Sequence, residues 1–305
     1  MTNPTHIVVI GESLIDVVIT DDSTTEYTGG SLFNVAVGLG KLGDSVQLVT
    51  AIGDDSRGIR IANALDNAGV TLFAGSISAA ATSTSTATLN AEKSASYTFA
   101  IEWSLDFVAE LPPAAIVHTG SIAAFLEPGA STLERLLAEV PPSTIISFDP
   151  NIRPSIIDSR ENSAAIVARL APLCTVFKLS DEDGFWLYGT SAGETLEIVL
   201  GLGASAAIVT LGDNGALLGS HDARVHVPGV TATLVDTIGA GDSFMAAFLH
   251  GIARMLDSGT AAETLTDGSA FTHAVLENLG CFATHCAAIT VSRSGANPPT
   301  LAEVL

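Results

Sequence analysis

Continuous apolar runs alternate along this chain with segments whose apolar residues recur at helical spacing. The runs Ile7 to Ile10, Val46 to Ile52, Ala115 to Thr119, Ile145 to Asp149, Val176 to Ser180 and Ala207 to Leu211 have the length and β-branched content of buried strands. Helices are predicted over Leu32 to Leu42, Arg57 to Ala68, Ser131 to Glu139, Asn162 to Leu170, Asp181 to Tyr188, Ala240 to Met255 and Thr260 to Leu279. This alternation implies βαβ units, and so an α/β fold with a mainly parallel sheet sandwiched by helices. Two segments interrupt it, around Ile15 to Thr28 and around Ser83 to Trp103, and both read as extra strands. In the second, β-branched and small residues alternate from Thr82 to Leu89, a turn is expected near Asn90 to Ser94, and Tyr97 to Ile101 follows. A flexible Ser/Thr-rich linker is the competing reading of that stretch.

The chain has 305 residues and is 47% hydrophobic, enough for one large core with a small appended subdomain. No tandem repeat or long linker divides it, so residues 1–305 are read as a single domain with insertions at about 15–28 and 83–103. No apolar run is read as a membrane span, and the start Met1 to His6 lacks a basic signal-peptide region, so a cytoplasmic protein without a membrane partner is expected. The formal charge of −21, from 12 basic and 33 acidic residues, argues against a nucleic-acid partner, whose phosphates it would repel. Only Lys41, Lys93 and Lys178 are lysines, which raises the interest of each. Cys174, Cys281 and Cys286 form no disulfide framework and suit a reducing compartment. Cys281, His285 and Cys286, with His273 before them, lack the C-x-x-C pairs of a structural zinc site.

The densest chemistry lies in Val235-Asp236-Thr237-Ile238-Gly239-Ala240-Gly241-Asp242-Ser243-Phe244. Gly239 and Gly241 permit a tight turn with bare backbone N–H groups, and Phe244, Phe248, Ile252 and Met255 continue it as a helix. The amides of Gly239, Ala240 and Gly241 would then converge with the positive end of the helix dipole, which favours a phosphate or a developing phosphoryl charge. Asp242 sits within reach of anything held there. Taken alone, the run also fits an N-cap after an ordinary Gly-rich loop. Gly38-Leu39-Gly40-Lys41-Leu42-Gly43 matches the dinucleotide fingerprint literally, but a helix precedes it and a strand follows, so Gly43 is read as a helix terminator.

The D-T-I-G-A-G-D-S-F run resembles the C-terminal signature of ribokinase-like, PfkB-type carbohydrate kinases. A second signature of that family stands at Gly29-Gly30-Ser31-Leu32-Phe33-Asn34 and on to Gly43. The resemblance covers nearly the whole chain, and Phe148-Asp149-Pro150-Asn151-Ile152-Arg153 and Thr290 to Pro299 are similar to fructokinase-type members. It implies a three-layer sandwich with a small β-sheet lid formed by the two inserted segments, which shields phosphoryl transfer from water. It also implies ATP and Mg²⁺, with potassium as a possible activator and a homodimer through the lid. Asp242 becomes the catalytic base and Gly239, Ala240 and Gly241 the phosphoryl cradle. Asp16, Gly29, Gly30, Asn34, Phe99 and Arg153 fall on the sugar side. Lys178, Ser180, Thr210, Gly212 and Gly215 fall on the nucleotide side, with Asp183 near Mg²⁺ through water and Asp236 near a monovalent cation. Where the family has Asn-x-x-Glu, this chain has Ser180 and Asp183, which also reads as a helix cap.

A keto-deoxy acid substrate calls for a cation on the lid, yet Ser96 to Asp106 contains no arginine and carries Glu102. A neutral sugar is expected, with fructose first and ribose or 2-keto-3-deoxygluconate as alternatives. The lid ending is altered to Phe99-Ala100-Ile101-Glu102-Trp103-Ser104-Leu105-Asp106, where Trp103 is either a packing anchor or a sugar-stacking residue. A catalytically weak sugar or nucleotide sensor is the reading from another functional class, and binding without turnover would distinguish it.

Overall fold

The structure, a computed structural model, describes residues 4–20, 22–78, 81–89 and 95–305. In the first half the chain forms β1 (His6–Ile10), β2 (Leu14–Ile19), β3 (Thr24–Gly29), α1 (Ser31–Lys41), β4 (Ser45–Val49), β5 (Ile52–Gly53), α2 (Ser56–Asn67), β6 (Val70–Leu72), β7 (Ile77–Ser78), β8 (Thr84–Leu89), β9 (Ala95–Ala100), β10 (Ile116–Gly120) and α3 (Gly129–Glu139). The second half adds β11 (Ile145–Asp149), α4 (Arg160–Leu170), β12 (Val176–Ser180), α5 (Asp181–Tyr188), α6 (Ala192–Gly201), β13 (Ala206–Thr210), β14 (Ala216–Ser220), β15 (Arg224–Val227), α7 (Ala240–Asp257), α8 (Ala262–Thr266), α9 (His273–Val291) and α10 (Leu301–Val304).

Nine strands form the main sheet in the order β15-β14-β13-β12-β11-β10-β1-β4-β6. It is parallel from β6 to β13, and β14 and β15 complete it as antiparallel strands at one edge. Inner strands such as β11 are buried along their whole length, because helices cover both faces. One face, with Ile7, Val9, Ile116, Ile145, Val176 and Ile208, packs against α1, α7 and α9 through Leu39, Phe248 and Ala283. Across the sheet, Val8, Val117, Phe148, Phe177 and Val209 pack with residues of α3, α4 and α6, among them Leu136, Val167 and Val199. The expected α/β sandwich is therefore formed.

Both interrupting segments are strands of one smaller sheet, ordered β3-β2-β8-β9. The turn expected at Asn90 to Ser94 lies outside the described residues. Ile15 and Val17 turn into the core, while Asp16 and Val18 take the opposite face, as period-two alternation requires. The sheet is tied at its roots. Glu26 on β3 accepts from Arg57 and Arg60 of α2. Asp55, the N-cap of α2, accepts from the amides of Arg57 and Gly58 at 2.9 and 2.8 Å, and its other oxygen accepts the amide of Thr82 at 2.9 Å. Those bonds hold the Asp55 carboxyl down at about 2.

Several expectations change. The single helix expected over Thr260 to Leu279 is two, because Gly268 at φ 84° turns the chain between α8 and α9 and Thr272 caps the second. Helix α9 runs on to Val291, so Thr290 is helical and not part of the C-terminal loop; its hydroxyl donates to Ser243 at 2.8 Å. With 19 residues and a mean hydropathy of 1.3, α9 is long and apolar enough to cross a membrane, contrary to the reading that no run is; here Leu276, Ala283 and Cys286 lie in the core. Short α6 and strands β6, β14 and β15 went unrecognised. Trp103 is a packing anchor. It is 3% exposed, rests on Gly129 and donates from Nε1 to the Ala123 carbonyl at 3.0 Å, which excludes sugar stacking. Gly43, at φ 87°, ends α1 before β4, as expected of a terminator.

Candidate active site

From β1 the chain winds outward to β4 and β6, then crosses to β10 and winds the other way to β13. The connections leaving the paired strands β1 and β10 run to opposite sides at that reversal, the place where open α/β sheets hold ligands. Residues at or just past the carboxyl ends of neighbouring strands gather there: Glu12 after β1, Ser121 after β10, Asp149 at the end of β11, and Lys178 and Ser180 on β12. Helices α1 and α7 bring their N-termini to the same place.

There the two ends of the chain meet on one carboxylate. Ser31, the first residue of α1, donates from its hydroxyl to Asp242 Oδ1 at 2.7 Å, and Asn34 Nδ2 donates to Oδ2 at 2.8 Å. Asp242 is 9% exposed, and each of its oxygens keeps a lone pair beyond these bonds. Burial raises its pKa, opposed by the Ser31 and Asn34 bonds and by the charge of Lys178. The result is a stronger base than an exposed carboxylate.

The turn before α7 is built by Gly239, which takes φ 76° and lies so close to Ala296 that a Cβ would come within 2.6 Å of the alanine methyl. Among the described residues, the amides of Gly239, Gly241 and Asp242 have no backbone acceptor, whereas Ala240 N donates to the Thr237 carbonyl at 3.3 Å. The amide cluster therefore shifts one residue: Asp242 N replaces Ala240 N in the set open to an anion. Asp236 braces the turn from outside, with Oδ1 accepting Ile238 N at 3.0 Å and Oδ2 accepting Gly295 N at 2.9 Å.

Lys178 supplies the cation beneath this turn. Its Nζ donates to Asp149 Oδ2 at 2.6 Å, both side chains are buried, and a Cβ on Gly241 would lie 3.0 Å from Nζ. Burial alone would lower the Lys178 pKa, but the charges of Asp149, Asp183 and Asp242 outweigh it and the ammonium is held upward. Ser180 and Asp183 form a reciprocal capping box on α5, and the second oxygen of Asp183 accepts Ile152 N at 3.0 Å. Asp149 Oδ1 accepts Asn151 N at 3.1 Å, so all four oxygens of Asp149 and Asp183 are engaged.

On the second sheet, register places Tyr27, Asp16, Ser85 and Phe99 directly across from one another, on one face. Gly29 makes room there: a Cβ would stand 2.2 Å from Asp16 Oδ2. Burial raises the Asp16 pKa against the pull of the Ser85 hydroxyl and the Arg153 charge, which places Arg153 within electrostatic range of the row. Gly30, at φ 105°, turns the chain from β3 into α1. Thr210, Gly212 and Gly215 form the tight β13–β14 connection at the sheet's carboxyl edge, with Gly215 packed on the Val227 carbonyl.

Sequence reasoning passed over Glu12, Ser31 and Asp149 as individual site residues. Glu12 and Asp149 carried a signal, an acid at or just past the end of an apolar strand. Glu12 is 4% exposed and accepts Ser31 N on Oε1 at 3.0 Å, while Oε2 has no hydrogen-bond partner among the described residues. Burial pushes its pKa up from 4.5 to about 7, against the nearby amides and the Ser121 hydroxyl. Because the folded pKa lies above the unfolded one, this group favours the fold below pH 4.5 and loses that advantage as pH rises through 7. The full difference corresponds to about 3 kcal/mol at the limit. Glu12→Gln is therefore expected to unfold at a higher temperature than the parent at pH 8 and at nearly the same temperature at pH 4. Equal Tm increments at both pH values would contradict that origin.

The family model for pfkB family carbohydrate kinases matches residues 4–303. A fructokinase of Rhizobium leguminosarum bv. trifolii is 33% identical over 252 residues, which cover 78% of this chain and 77% of that protein. Among solved structures, the fructokinase of Xylella fastidiosa with bound ATP superimposes with a TM-score of 0.83 at 25% identity, covering 98% of this chain and 96% of that one. A fructokinase double mutant of Vibrio cholerae O395, bound to fructose, ADP and potassium, gives a TM-score of 0.80 at 22% identity, covering 97% and 95%.

Proposed function

The chain belongs to the pfkB family of carbohydrate kinases, and we propose that within it the protein transfers the γ-phosphoryl group of ATP to a primary hydroxyl of fructose, with Asp242 accepting the hydroxyl proton. The observation that carries this reading is the buried Asp242 carboxylate, fixed by Ser31 and Asn34 next to an open set of helix N-terminal amides.

In the reaction, the sugar oxygen forms a bond to the γ-phosphorus, the bond to the β-phosphate bridge oxygen breaks, and ADP leaves. Charge spreads over the transferring phosphoryl oxygens while little proton transfer is needed early. The amides of Gly239, Gly241 and Asp242 and the Lys178 ammonium meet that charge without reorganising. Asp242 orients the hydroxyl and takes its proton late, for which its burial-raised pKa suits it. Mg²⁺ accompanying the nucleotide would neutralise phosphate charge. Asp183 accepts one backbone amide on each oxygen, which leaves each a lone pair through which a water could bridge to such an ion. Asp236 fits a potassium site in chemistry, as a carboxylate bracing the Gly239 turn whose oxygens each keep a lone pair beyond the amides of Ile238 and Gly295.

The second sheet acts as the lid, with Asp16 receiving sugar hydroxyls and Phe99 beside it. A homodimer through this sheet would cover Tyr27 and Tyr97, which are 53% and 59% exposed. Three free cysteines suit a cytoplasmic setting. Fructose is favoured by the 33% identical relative and by the Asp16 carboxylate in the substrate row, which accepts sugar hydroxyls and would repel an acidic substrate. ADP release should be measured on fructose, ribose, 2-keto-3-deoxygluconate, adenosine and fructose 6-phosphate with Mg²⁺ and potassium. Fructose should exceed the others by about 10-fold or more in kcat/KM. Preference for another substrate would overturn the sugar, and binding without turnover would favour a sensor.

Gly29→Ala tests the sugar side separately. The new methyl displaces the Asp16 carboxylate, so KM for fructose should rise about 10-fold while KM for ATP stays within about twofold. An unchanged fructose KM would remove Asp16 from substrate binding.

A further inference from the structure

Glu12 has no role in the reading above, and its charge works against the fold. One of its oxygens is buried without a partner, and its ionisation opposes folding at neutral pH. An apolar residue would avoid the buried charge but leave the Ser31 amide without an acceptor, whereas a glutamine would keep that bond uncharged, so what the position supplies is the acceptor itself.

Its contacts show what that acceptor holds. Glu12 Oε1 accepts the amide of Ser31 at 3.0 Å, and the hydroxyl of the same serine donates to Asp242 Oδ1 at 2.7 Å. The Glu12 backbone carbonyl lies against Gly30, where an added Cβ would approach to 2.7 Å, so main chain and side chain both seat the β3–α1 turn. Helix α1 starts at Ser31 with no side-chain cap from Gly30. Glu12, 19 residues upstream, takes the place of that missing N-cap. Ser121 adopts φ 49° directly after β10 and contributes its hydroxyl to the surroundings of the carboxyl.

We propose that Glu12 is a positioning residue for phosphoryl transfer: by capping the first turn of α1 from outside the helix, it fixes the Ser31 hydroxyl and through it the orientation of the Asp242 carboxylate. This rests on Asp242 being the proton acceptor. Asn34 holds the other Asp242 oxygen, so loss of Glu12 frees the carboxylate to swing about one remaining bond. Such misorientation acts on the chemical step more than on the binding of either substrate.

Four variants test it: Glu12→Ala, Glu12→Gln, Ser31→Ala and the Glu12→Ala/Ser31→Ala double, each assayed below its own unfolding midpoint, with Asp242→Asn alongside. Glu12→Ala should lower kcat about 10- to 100-fold with both KM values within about threefold. Glu12→Gln keeps an oxygen acceptor for Ser31 N and should recover kcat to within about threefold of the parent. In the double variant the loss should match that of the worse single variant, because both substitutions break the same chain. Parent-like kcat in folded Glu12→Ala, no recovery by glutamine, or multiplying losses in the double would overturn the proposal while Asp242→Asn still lowers kcat by about 10²-fold or more. Near-normal turnover in Asp242→Asn would instead overturn the catalytic reading, and this inference with it.

Discussion

Asp242→Asn is expected to lower kcat by about 10²- to 10⁴-fold, the scale associated with a positioned general base. Asparagine fills the same space and can still accept from Ser31 Oγ on its carbonyl, so the turn and α1 should stay in place. Its amide nitrogen, however, would face Asn34 Nδ2 as donor against donor, unless Asn34 flips its own amide. Binding of ATP should therefore survive while turnover falls. Steady-state kinetics with a binding titration of ATP would check this, and turnover near the parent level in a folded Asp242→Asn protein would remove Asp242 from the chemistry.

Removing Lys178 should have two separable consequences. Lys178→Met leaves the buried Asp149 carboxylate without its ammonium, which is expected to destabilise the fold by about 3–5 kcal/mol. It also removes the positive charge under Gly241, so kcat should fall by about 10²-fold or more where that charge meets the transferring phosphoryl group. Pairing it with Asp149→Asn removes the stranded charge. The double variant should regain most of the lost stability in urea unfolding yet remain inactive. Recovered activity in the double variant would show that Lys178 acts only as the structural partner of Asp149.

Much of this architecture was legible in the chain. Ile145–Asp149 and Val176–Ser180 read as strands because burial on both faces makes them continuously apolar, and Asp181–Tyr188 read as a helix with a Ser180 cap. What failed had weaker or overlooked local signals. The break between α8 and α9 is written in Asp267-Gly268-Ser269 and the Thr272 cap, β14 and β15 are short strands joined to their sequence neighbours by tight turns, and β6 pairs with β4 across the whole of α2. The site followed the same division. Gly239, Gly241 and Asp242 announce themselves by composition and order, and Asn34 by its signature. The contact of Asn34 and Ser31 with Asp242 spans about 200 residues of chain and is created only by packing α1 against α7. Asp183 illustrates the converse, where the reciprocal capping box with Ser180 was legible as a local signal and is formed.

The Asp55 carboxylate described with the fold imposes a mechanical restriction on the smaller sheet. The same side chain closes the first turn of α2 and grips Thr82, where the chain enters β8, while Glu26 on β3 is clamped from α2 by Arg57 and Arg60. Two of the sheet's strands are thus bolted to one helix, and with the Asp55 carboxyl held at about 2 that fastening persists through any physiological acidity. Closure over a sugar would then proceed as a rocking of α2 and the sheet together, with the compliance displaced to the opposite margin around β9, rather than as a flap swinging on a loose loop.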